Sequence, residues 1–435
     1  MPEKFTPSRP DRELISLLLD DPTRKTPPLR LENFSEYSFS SNFLQPTDGW
    51  NFAFGTEFLD SDTARLIVPG NKVELLIQGA LQSTGYIDSV SISTSRGGGK
   101  EYRIEGRDKM AIAVDACANP LFSAKDGETL ADFLPRLFKD YGWPNEDDFS
   151  IDAEADRDIR SNTHGARSKT KKSEGKGFGK RALKQYKIHQ KRANAKESVW
   201  EFASRITQRL GLWIWASADG ETLFVSTPDF EQAPKYKLLV NREGTTNVLS
   251  SSVKHSSMNQ PSAIIADGYS YGGEFGKSKI IVVMFNNMVS LGDLPQDPEV
   301  LKYEKAGAKF IEGPVFPFAS LVKLNKYKPV YLHDDESQNL EQLEAFVRRE
   351  MSLLQRQSIE ASYVVEGHGQ IVDGTFAPWT VDTIVSVDDK PAGLKEDMYI
   401  LGRTFEKSRS GGTTTKLELI RKNTIVFSDT SSKKH

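Results

Sequence analysis

The sequence has little of what secreted, membrane-spanning or catalytic proteins usually need. Its 435 residues contain one cysteine, Cys117, so no intrachain disulfide can form and the fold does not depend on an oxidising compartment. No stretch approaches the roughly 18 consecutive apolar residues of a membrane-spanning helix. The N-terminus has no apolar segment of the signal-peptide type. We therefore expect a protein that folds in the cytoplasm of the cell that makes it.

Neither sign of charge prevails, since 57 Lys and Arg stand against 60 Asp and Glu. This balance argues against a chain that binds nucleic acid or an anionic membrane along its whole length, although a local patch could still do so. The length predicts about three domains. A hydrophobic content of 37% is low but sufficient for several small cores.

Motifs that carry chemistry are also missing. Histidines are spaced too far apart for a local metal site, at His164, His189, His255, His333, His368 and His435. The glycines at 97–99 and 175–179 lack the strand-then-helix context of a phosphate loop, and no G-x-S-x-G motif exists. Cys117, between two alanines, is interpreted as a small buried residue. We predict no catalytic, cofactor-binding or metal-binding residue and no enzymatic activity.

Residues 1–28 are predicted to form an N-terminal arm. Prolines interrupt it, and between them lies a short apolar run at residues 14–19. One or two helical turns there could dock on a neighbouring protein or pack on their own domain, and the sequence favours neither.

Residues 29–115 have the alternation of half-buried β-strands. Tyr37, Phe39 and Phe43 alternate with polar residues, and so do Trp50, Phe52 and Phe54 after a Pro-Thr-Asp-Gly turn. This pattern predicts a β-hairpin within a first β-domain.

Residues 116–235 are predicted to be an inserted α/β domain. An apolar helical face begins at Leu130, contains Pro135 and ends at Gly142. A second helix begins at Ser198, with Glu201 in the position of a capping box, and Asp219-Gly220 predicts a hairpin.

Between these helices lies a basic segment, residues 157–196, with 14 Lys and Arg against two acidic residues. It has too few apolar residues to offset the entropy of ordering, so we predict a flexible loop that faces solvent or a partner. Its only aromatic residues, Phe178 and Tyr186, are few for a groove that stacks bases, which argues against nucleic acid as a ligand.

Residues 236–427 are predicted to form a second β-domain with additional strands and one helix, at 337–356, followed by a polar tail at 428–435. The predicted strands include Ile280–Phe285, Trp379–Val381, Thr383–Val387, Met398–Arg403 and Thr414–Leu419. Glycines at 411–412 form a turn comparable to the one at 97–99, so the C-terminal strands echo the N-terminal ones in arrangement.

Several short runs resemble Mu-like phage tail proteins of the gpP type, the baseplate central hub family of contractile tails. In the N-terminal half these runs are Val68–Ile77, Gly85–Val90, Gly106-Arg107-Asp108 and Val114-Asp115. In the C-terminal half they are Trp379–Val381, Val385–Asp389, Gly402-Arg403-Thr404 and Gly411–Leu419. The resemblance covers residues 29–425, apart from the basic segment, and leaves the N-terminal arm as an addition.

The resemblance implies an α+β multidomain protein with two tube-like antiparallel β-barrel domains, an inserted α/β domain and a helix in the C-terminal half. It implies a homotrimer in the tail baseplate of a virion, whose six β-domains match a hexameric tail tube or tube-initiator protein above and a trimeric spike below. The resemblance adds tape measure and baseplate wedge proteins to the expected partners and implies no cofactor. Arg107 and Arg403 are expected to make ordinary ion pairs on the barrel wall.

Three alternatives remain at this point. The chain could be a tail-associated peptidoglycan hydrolase, because only geometry distinguishes a catalytic pair of carboxylates from the many chance pairs among its 60 acidic residues. It could be a nucleic-acid-binding module that uses the basic segment. It could also be the hub part of a type VI secretion spike, although the sequence shows no repetitive β-sequence typical of a needle.

Overall fold

A computed structural model describes most of the chain. The described residues are 15–20, 28–55, 65–96, 99–125, 128–151, 187–188, 192–209, 212–241, 246–273, 276–286, 289–291, 303, 305–311, 322–324, 328–334, 337, 340–408, 411–422 and 424. The chain divides into two compact units. The first contains the described parts of Met1–Ile206, Trp213–Ser251 and Ser362–Leu419, and the second those of Thr207–Leu212, Ser252–Ala361 and Ile420–His435.

Strands dominate both halves of the chain. Those up to residue 240 are β1 Ile15–Leu19, β2 Leu29–Leu31, β3 Glu36–Asn42, β4 Gly49–Gly55, β5 Lys72–Ile77, β6 Ala80–Ser95, β7 Gly99–Asp108, β8 Glu128–Thr129, β9 Phe149–Ile151, β10 Lys187–Ile188, β11 Trp213–Ala216, β12 Leu223–Ser226 and β13 Tyr236–Val240. The later ones are β14 Val248–His255, β15 Ala263–Gly273, β16 Gly276–Phe285, β17 Val289–Leu291, β18 Lys309–Ile311, β19 Val322–Leu324, β20 Pro329–Asp334, β21 Ile359–Glu366, β22 Gly369–Val372, β23 Thr375–Pro378, β24 Thr383–Asp389, β25 Leu394–Ser408 and β26 Gly412–Arg421.

The α-helices within the described residues are α1 Ala111–Asp115, α2 Leu130–Phe138, α3 Val199–Arg209 and α4 Leu340–Arg356. α2 contains Pro135 and continues as a 3-10 turn, Lys139–Tyr141, which ends at Gly142 with a φ of 104°. The predicted capping box of α3 is present, because the amide of Glu201 donates to the Ser198 hydroxyl at 3.1 Å and the amide of Ser198 donates to the Glu201 carboxylate at 2.8 Å.

One large sheet contains strands from both ends of the chain, in the order β14-β21-β26-β25-β3-β4-β7-β6-β5-β1-β2, with β24 on β25 and β13 on β24. The predicted hairpin of β3 and β4 is confirmed, and Tyr37, Phe39 and Phe52 are buried in it as the alternation required. Trp379–Val381, predicted as a strand, lies in the loop between β23 and β24 instead.

The N-terminal arm differs from its prediction. The apolar run forms strand β1 rather than helical turns, and β1 pairs antiparallel with both β5 and β2. Leu17 and Leu19 are fully buried there. A branched and leucine-rich run of five residues fits a buried strand as well as it fits a helix, and the open edge of β5 decides between them.

The two ends of the sheet repeat one strand order. In the N-terminal β-region, β3 is followed across the sheet by β4, β7, β6 and β5. In the C-terminal β-region, β14 is followed by β21, β26, β25 and β24. In both, a long middle strand, β6 or β25, pairs with a short strand over its first half. The repetition stops at the next strand, since β1 runs antiparallel to β5 whereas β13 runs parallel to β24.

Residues 257–288, expected in the second β-domain, are not part of this repeated order. β15 and β16 pair with each other and with β20 and β18 in a separate four-stranded sheet. Helix α4 packs on that sheet through Leu343, Val347 and Met351, all fully buried. The first strand of the C-terminal repeated order is β14, the counterpart of β3.

The inserted segment contains a repeat of its own. The carboxylate of Glu128, the residue before the α2 cap, accepts hydrogen bonds from Arg136 Nε at 3.0 Å and from Arg136 Nη2 at 2.8 Å. Glu197, at the same position before α3, accepts Arg205 Nε at 2.7 Å and Arg205 Nη2 at 2.9 Å. Each arginine also donates to a carbonyl five residues before its glutamate, that of Ser123 or of Arg192.

Equivalent positions of this repeat meet each other. Ser123 and Arg192 form an antiparallel bridge, and the rings of Phe133 and Phe202 lie 5.6 Å apart edge to face. Contact between equivalent positions is the property of a twofold axis. The two helical units are therefore paired about a local pseudo-twofold axis, and the basic segment connects one unit to the other.

Candidate functional site: the joint between the two β-regions

The N-terminal and C-terminal β-regions join through one strand pair, β3 with β25. Asn42 lies opposite Gly402 and Tyr37 opposite Lys407, in antiparallel register. Beyond the strand end, the amide of Phe43 donates to the Leu401 carbonyl at 2.8 Å. We call this strand pair and the side chains packed on it the joint. It turns two separate sets of strands into one continuous sheet.

Arg403 lies inside the joint and is 1% exposed. Its guanidinium carbon stands 4.6 Å from the centre of the Phe405 ring and 5.6 Å from that of Phe39, and Nη1 donates to the Trp379 carbonyl. Nε and Nη2 have no hydrogen-bond partner within the described residues. Burial lowers the pKa of Arg403 to about 10, and the nearby Asp48 carboxylate partly offsets this, so the side chain stays charged at neutral pH.

The two Gly-Arg pairs that looked alike in sequence are different in structure. Arg107 makes the expected surface ion pairs, at 2.7 Å to Asp88 and 2.6 Å to Asp115. Arg403 makes no ion pair with any residue that the structure describes, and it is buried, so the prediction of a surface ion pair was wrong for it. Arg107 lies on β7 whereas Arg403 lies on β25, the counterpart of β6, so the two positions are not equivalent in the repeated strand order.

His368 is the second polar group buried in the joint, with no exposed surface. Its Nε2 lies 2.6 Å from the hydroxyl of Tyr37 on β3, and its Nδ1 lies 3.1 Å from the hydroxyl of Thr415 on β26. The imidazole therefore links the two β-regions by side-chain hydrogen bonds. Burial, and to a lesser extent the charge of Arg403, lower the pKa of His368 to about 3, so the ring is neutral.

Asp48, in the turn between β3 and β4, adds a carboxyl group to this neighbourhood. Desolvation raises the pKa of Asp48 to about 6, against the opposing effects of a hydrogen bond with Ser41 and the charge of Arg403. The Asp48 amide donates to the Asp108 carboxylate at 3.0 Å, and burial raises the pKa of Asp108 as well. The joint is thus a mostly apolar seam with one buried cation, one neutral histidine and two carboxyls at its end.

The other candidates from the sequence do not gather into a site. Cys117 is exposed, so the prediction that it is buried was wrong, and its backbone bridges to that of Ser198. His255 is exposed, and His333 lies 3.3 Å from Asp267 in the second unit. Across the described ranges no three His, Cys, Asp or Glu side chains could hold a metal ion together. His164, His189 and His435 lie outside those ranges.

Most of the basic segment also lies outside the described residues. Its last part is an exception to the predicted flexible loop, because β10 pairs with β8 and Ala193 is buried. In the part of the chain that the structure describes, no helix is long and apolar enough to cross a membrane.

Sequence reasoning found the strands of the joint but not its contents. The pairing of β3 with β25 connects residues far apart in the chain, and no local pattern indicates it. The Gly402-Arg403 dipeptide is part of the family resemblance, but a charged residue in an alternating strand is ordinarily assigned to the solvent face. The one available signal was its register: Arg403 shares the inward period of Tyr399, Leu401 and Phe405.

Comparison with known proteins agrees with this architecture. Residues 30–108 match the family model of the Mu phage baseplate assembly protein GpP-like, N-terminal domain. The resemblance to gpP-type tail proteins is thereby confirmed for that part of the chain. No curated protein matches the chain by sequence.

Two solved structures share the fold over nearly the whole chain. The tail protein from Neisseria meningitidis MC58 is 21% identical, with a TM-score of 0.66, over 95% of this chain and 98% of that one. The 43 kDa tail protein of prophage MuSo2 from Shewanella oneidensis is 15% identical, with a TM-score of 0.63, over 95% of this chain and 99% of that one. The α+β architecture, mostly β with a few helices, is thus one that known tail proteins also have.

Proposed function

We propose that this protein is a structural hub of a phage-type tail baseplate, and that three copies adapt the sixfold symmetry of a tail tube to the threefold symmetry of a spike. The observation that carries the proposal is the repeated strand order of the two β-regions, joined edge to edge in one sheet. A trimer can offer six equivalent surfaces to a hexameric ring only if each subunit carries two similar ones. The two β-regions would then be related by a rotation of about 60° around the trimer axis.

The match to a baseplate assembly family over residues 30–108 and the shared fold of two tail proteins support this role. The chemistry of the joint agrees with it. Buried polar groups that are tied to one another by hydrogen bonds make a seam rigid, and a passive adaptor needs rigidity rather than a reactive group. The proposed location is the virion, in the tail baseplate, and the proposed partners are the tube protein and the spike protein.

Electron microscopy and light scattering on the purified protein, with and without its spike protein, test the proposal. A three-fold ring with six similar peripheral lobes is expected, and its mass should be three times 48.7 kDa before spike is added. A strict monomer in the presence of the spike would refute the adaptor role, even if the protein were found in virions.

A further inference from the structure

The strand pair that forms the joint has a counterpart in the repeated strand order. Inside the chain, the second half of the long strand β25 pairs with β3, the first strand of the other β-region. The counterpart of β25 in the repeated order is β6, and the counterpart of β3 is β14. If each strand of the β25–β3 pair is replaced by its counterpart, the result is a pairing of β6 with β14. A single chain does not make this pairing in the described residues.

Both strands have a free edge for that pairing. β14 ends the sheet and has only β21 beside it among the described strands. β5 accompanies β6 as far as Tyr86, and Gly70 and Asn71, just before β5, bond to the backbone of Ile87. Beyond Ile87 only β7 lies beside β6 among the described strands. The neighbour of β25 changes at the corresponding point, because β24 pairs with it as far as Ile400 and β3 pairs with it from Gly402 onwards. Free strand edges are templates for adding a strand from another chain.

The side chains of β6 support the comparison. Counted back from the hairpin that ends each long strand, at Ser95 and at Ser408, Ile92 holds the position of Phe405. Phe405 is fully buried in the intrachain joint, whereas Ile92 is 54% exposed. On β14, Leu249 is 60% exposed. Apolar side chains left exposed on two free edges are what an interface between strands would cover.

We propose that β14 of one copy pairs with the Ser89–Thr94 half of β6 in the next copy, in the manner of β3 with β25, so that three copies close a ring. The partner is a second copy of this chain, because the template for the contact is the chain's own joint. The contact is head to tail, with different surfaces meeting, which is the interface type that closes a cyclic ring. The inference rests on the proposed trimer and specifies which edges hold it together.

Register-specific cross-linking tests the pairing. In a background with Cys117→Ser, one full-length chain carries Ser91→Cys and a differently tagged chain carries a cysteine at Ser250, Ser251 or Ser252 in turn. Ser91 holds the position of Thr404, whose hydroxyl lies 3.4 Å from that of Ser40 across the intrachain joint. The matched control is therefore Ser40→Cys with Thr404→Cys, which should form a disulfide within one chain.

We expect mild oxidation to link the two tagged chains at one of the three β14 positions at least tenfold more than at the least reactive one. Failure at all three positions while the control pair oxidises, in a sample that light scattering shows to be trimeric, would overturn this pairing and leave the hub proposal intact. Equal linking at all three would show random collision and would also overturn it. A chain that stays monomeric up to the highest soluble concentration and with spike present would overturn both.

A substitution without cysteine gives a second readout. Ile92→Lys places a charge where the neighbouring strand would cover the side chain, so the trimer should dissociate at least tenfold more readily. Ile371→Lys, on β22 and 39% exposed, is the matched control and should leave the trimer unchanged. Circular dichroism should show both variants folded, since both side chains are exposed. An Ile92→Lys protein that assembles as well as the control would refute the proposed edge.

Discussion

Arg403 places a positive charge in the interior of the joint without a carboxylate bound to it. A buried ion loses several kcal/mol of hydration, and aromatic faces with one carbonyl return only part of that. The groups around the guanidinium come from both β-regions. Phe39 belongs to the N-terminal one, whereas Phe405 and Trp379 belong to the C-terminal one. The guanidinium thus contacts both β-regions, and we expect its net contribution to stability to be small or negative.

We therefore expect Arg403→Met to change the free energy of unfolding by no more than about 2 kcal/mol, because relief of the buried charge offsets the lost donor to Trp379. Arg403→Ala should lower that free energy by about 3 kcal/mol, since it leaves a cavity. Urea denaturation of both variants measures this. A loss well above 3 kcal/mol in Arg403→Met would show that the charge itself stabilises the joint.

His368 gives the joint a dependence on pH. The pKa of His368 is lowered to about 3 in the folded protein from an ordinary value of 6.5, so below about pH 6.5 the unfolded chain binds a proton that the folded protein does not. The stabilisation is complete above pH 6.5 and decreases towards pH 3, by up to about 1.4 kcal/mol per unit. Asp48, whose pKa is raised from 3.8 to about 6, acts in the opposite direction between those values.

Comparison with His368→Gln isolates the histidine from Asp48. Glutamine can still accept from Tyr37 and donate to Thr415, but it does not titrate. The difference in free energy of unfolding between wild type and variant should fall steadily from pH 6.5 to pH 4. The same substitution at the exposed His255 serves as a control. A difference that stays constant over this range would mean that His368 is protonated in the folded joint.

Strand β1 shows how an element can be ambiguous in sequence and decided by its neighbours. Its leucines are compatible with a short helix or with a buried strand. The strand forms because β5 and β2 supply hydrogen-bond partners on its two sides. Leu17→Ala should cost about 2–4 kcal/mol of unfolding free energy, because the side chain is fully buried. Leu18→Ala, at a half-buried position of the same strand, should cost about 1 kcal/mol or less by the same reasoning. Equal effects in thermal or urea unfolding would mean that β1 does not belong to the sheet.

The repeat in the inserted segment predicts that its two arginines contribute equally to stability. Glu128 and Glu197 are nearly buried beside Arg136 and Arg205, with side chains 6% and 9% exposed. Removing either arginine leaves a carboxylate with little water, so Arg136→Ala and Arg205→Ala should each lower the unfolding free energy by about 2–4 kcal/mol. Hydrogen exchange of α2 and α3 measures the local effect. Losses that differ severalfold would show that the units are not equivalent.

For the whole molecule, local patterns in the sequence were sufficient for hairpins, caps and most helix positions. The β3–β4 hairpin, the Ser198–Glu201 cap and the face of α4 all arise from neighbours in the chain. The pairing of β3 with β25 and the burial of Arg403 depend on residues hundreds of positions apart, which no local period records. The repeat around Glu128 and Glu197 was visible in the sequence, and comparison of the chain with itself would have found it.

The basic segment connects the two paired helical units, and its position predicts how much of it the fold needs. Residues 158–185 can be replaced by a short Gly-Ser linker with a change in melting temperature of a few degrees at most, because loop length affects stability only weakly. Extending the deletion to Lys196 should lower the melting temperature much further, because β10, the bridge of Arg192 to Ser123 and the buried Ala193 are then lost. Differential scanning calorimetry of both deletions decides this. If the shorter deletion alone unfolds the protein, residues 158–185 are packed. If it folds and forms trimers but no longer yields complete tails, the segment is a contact for another tail protein.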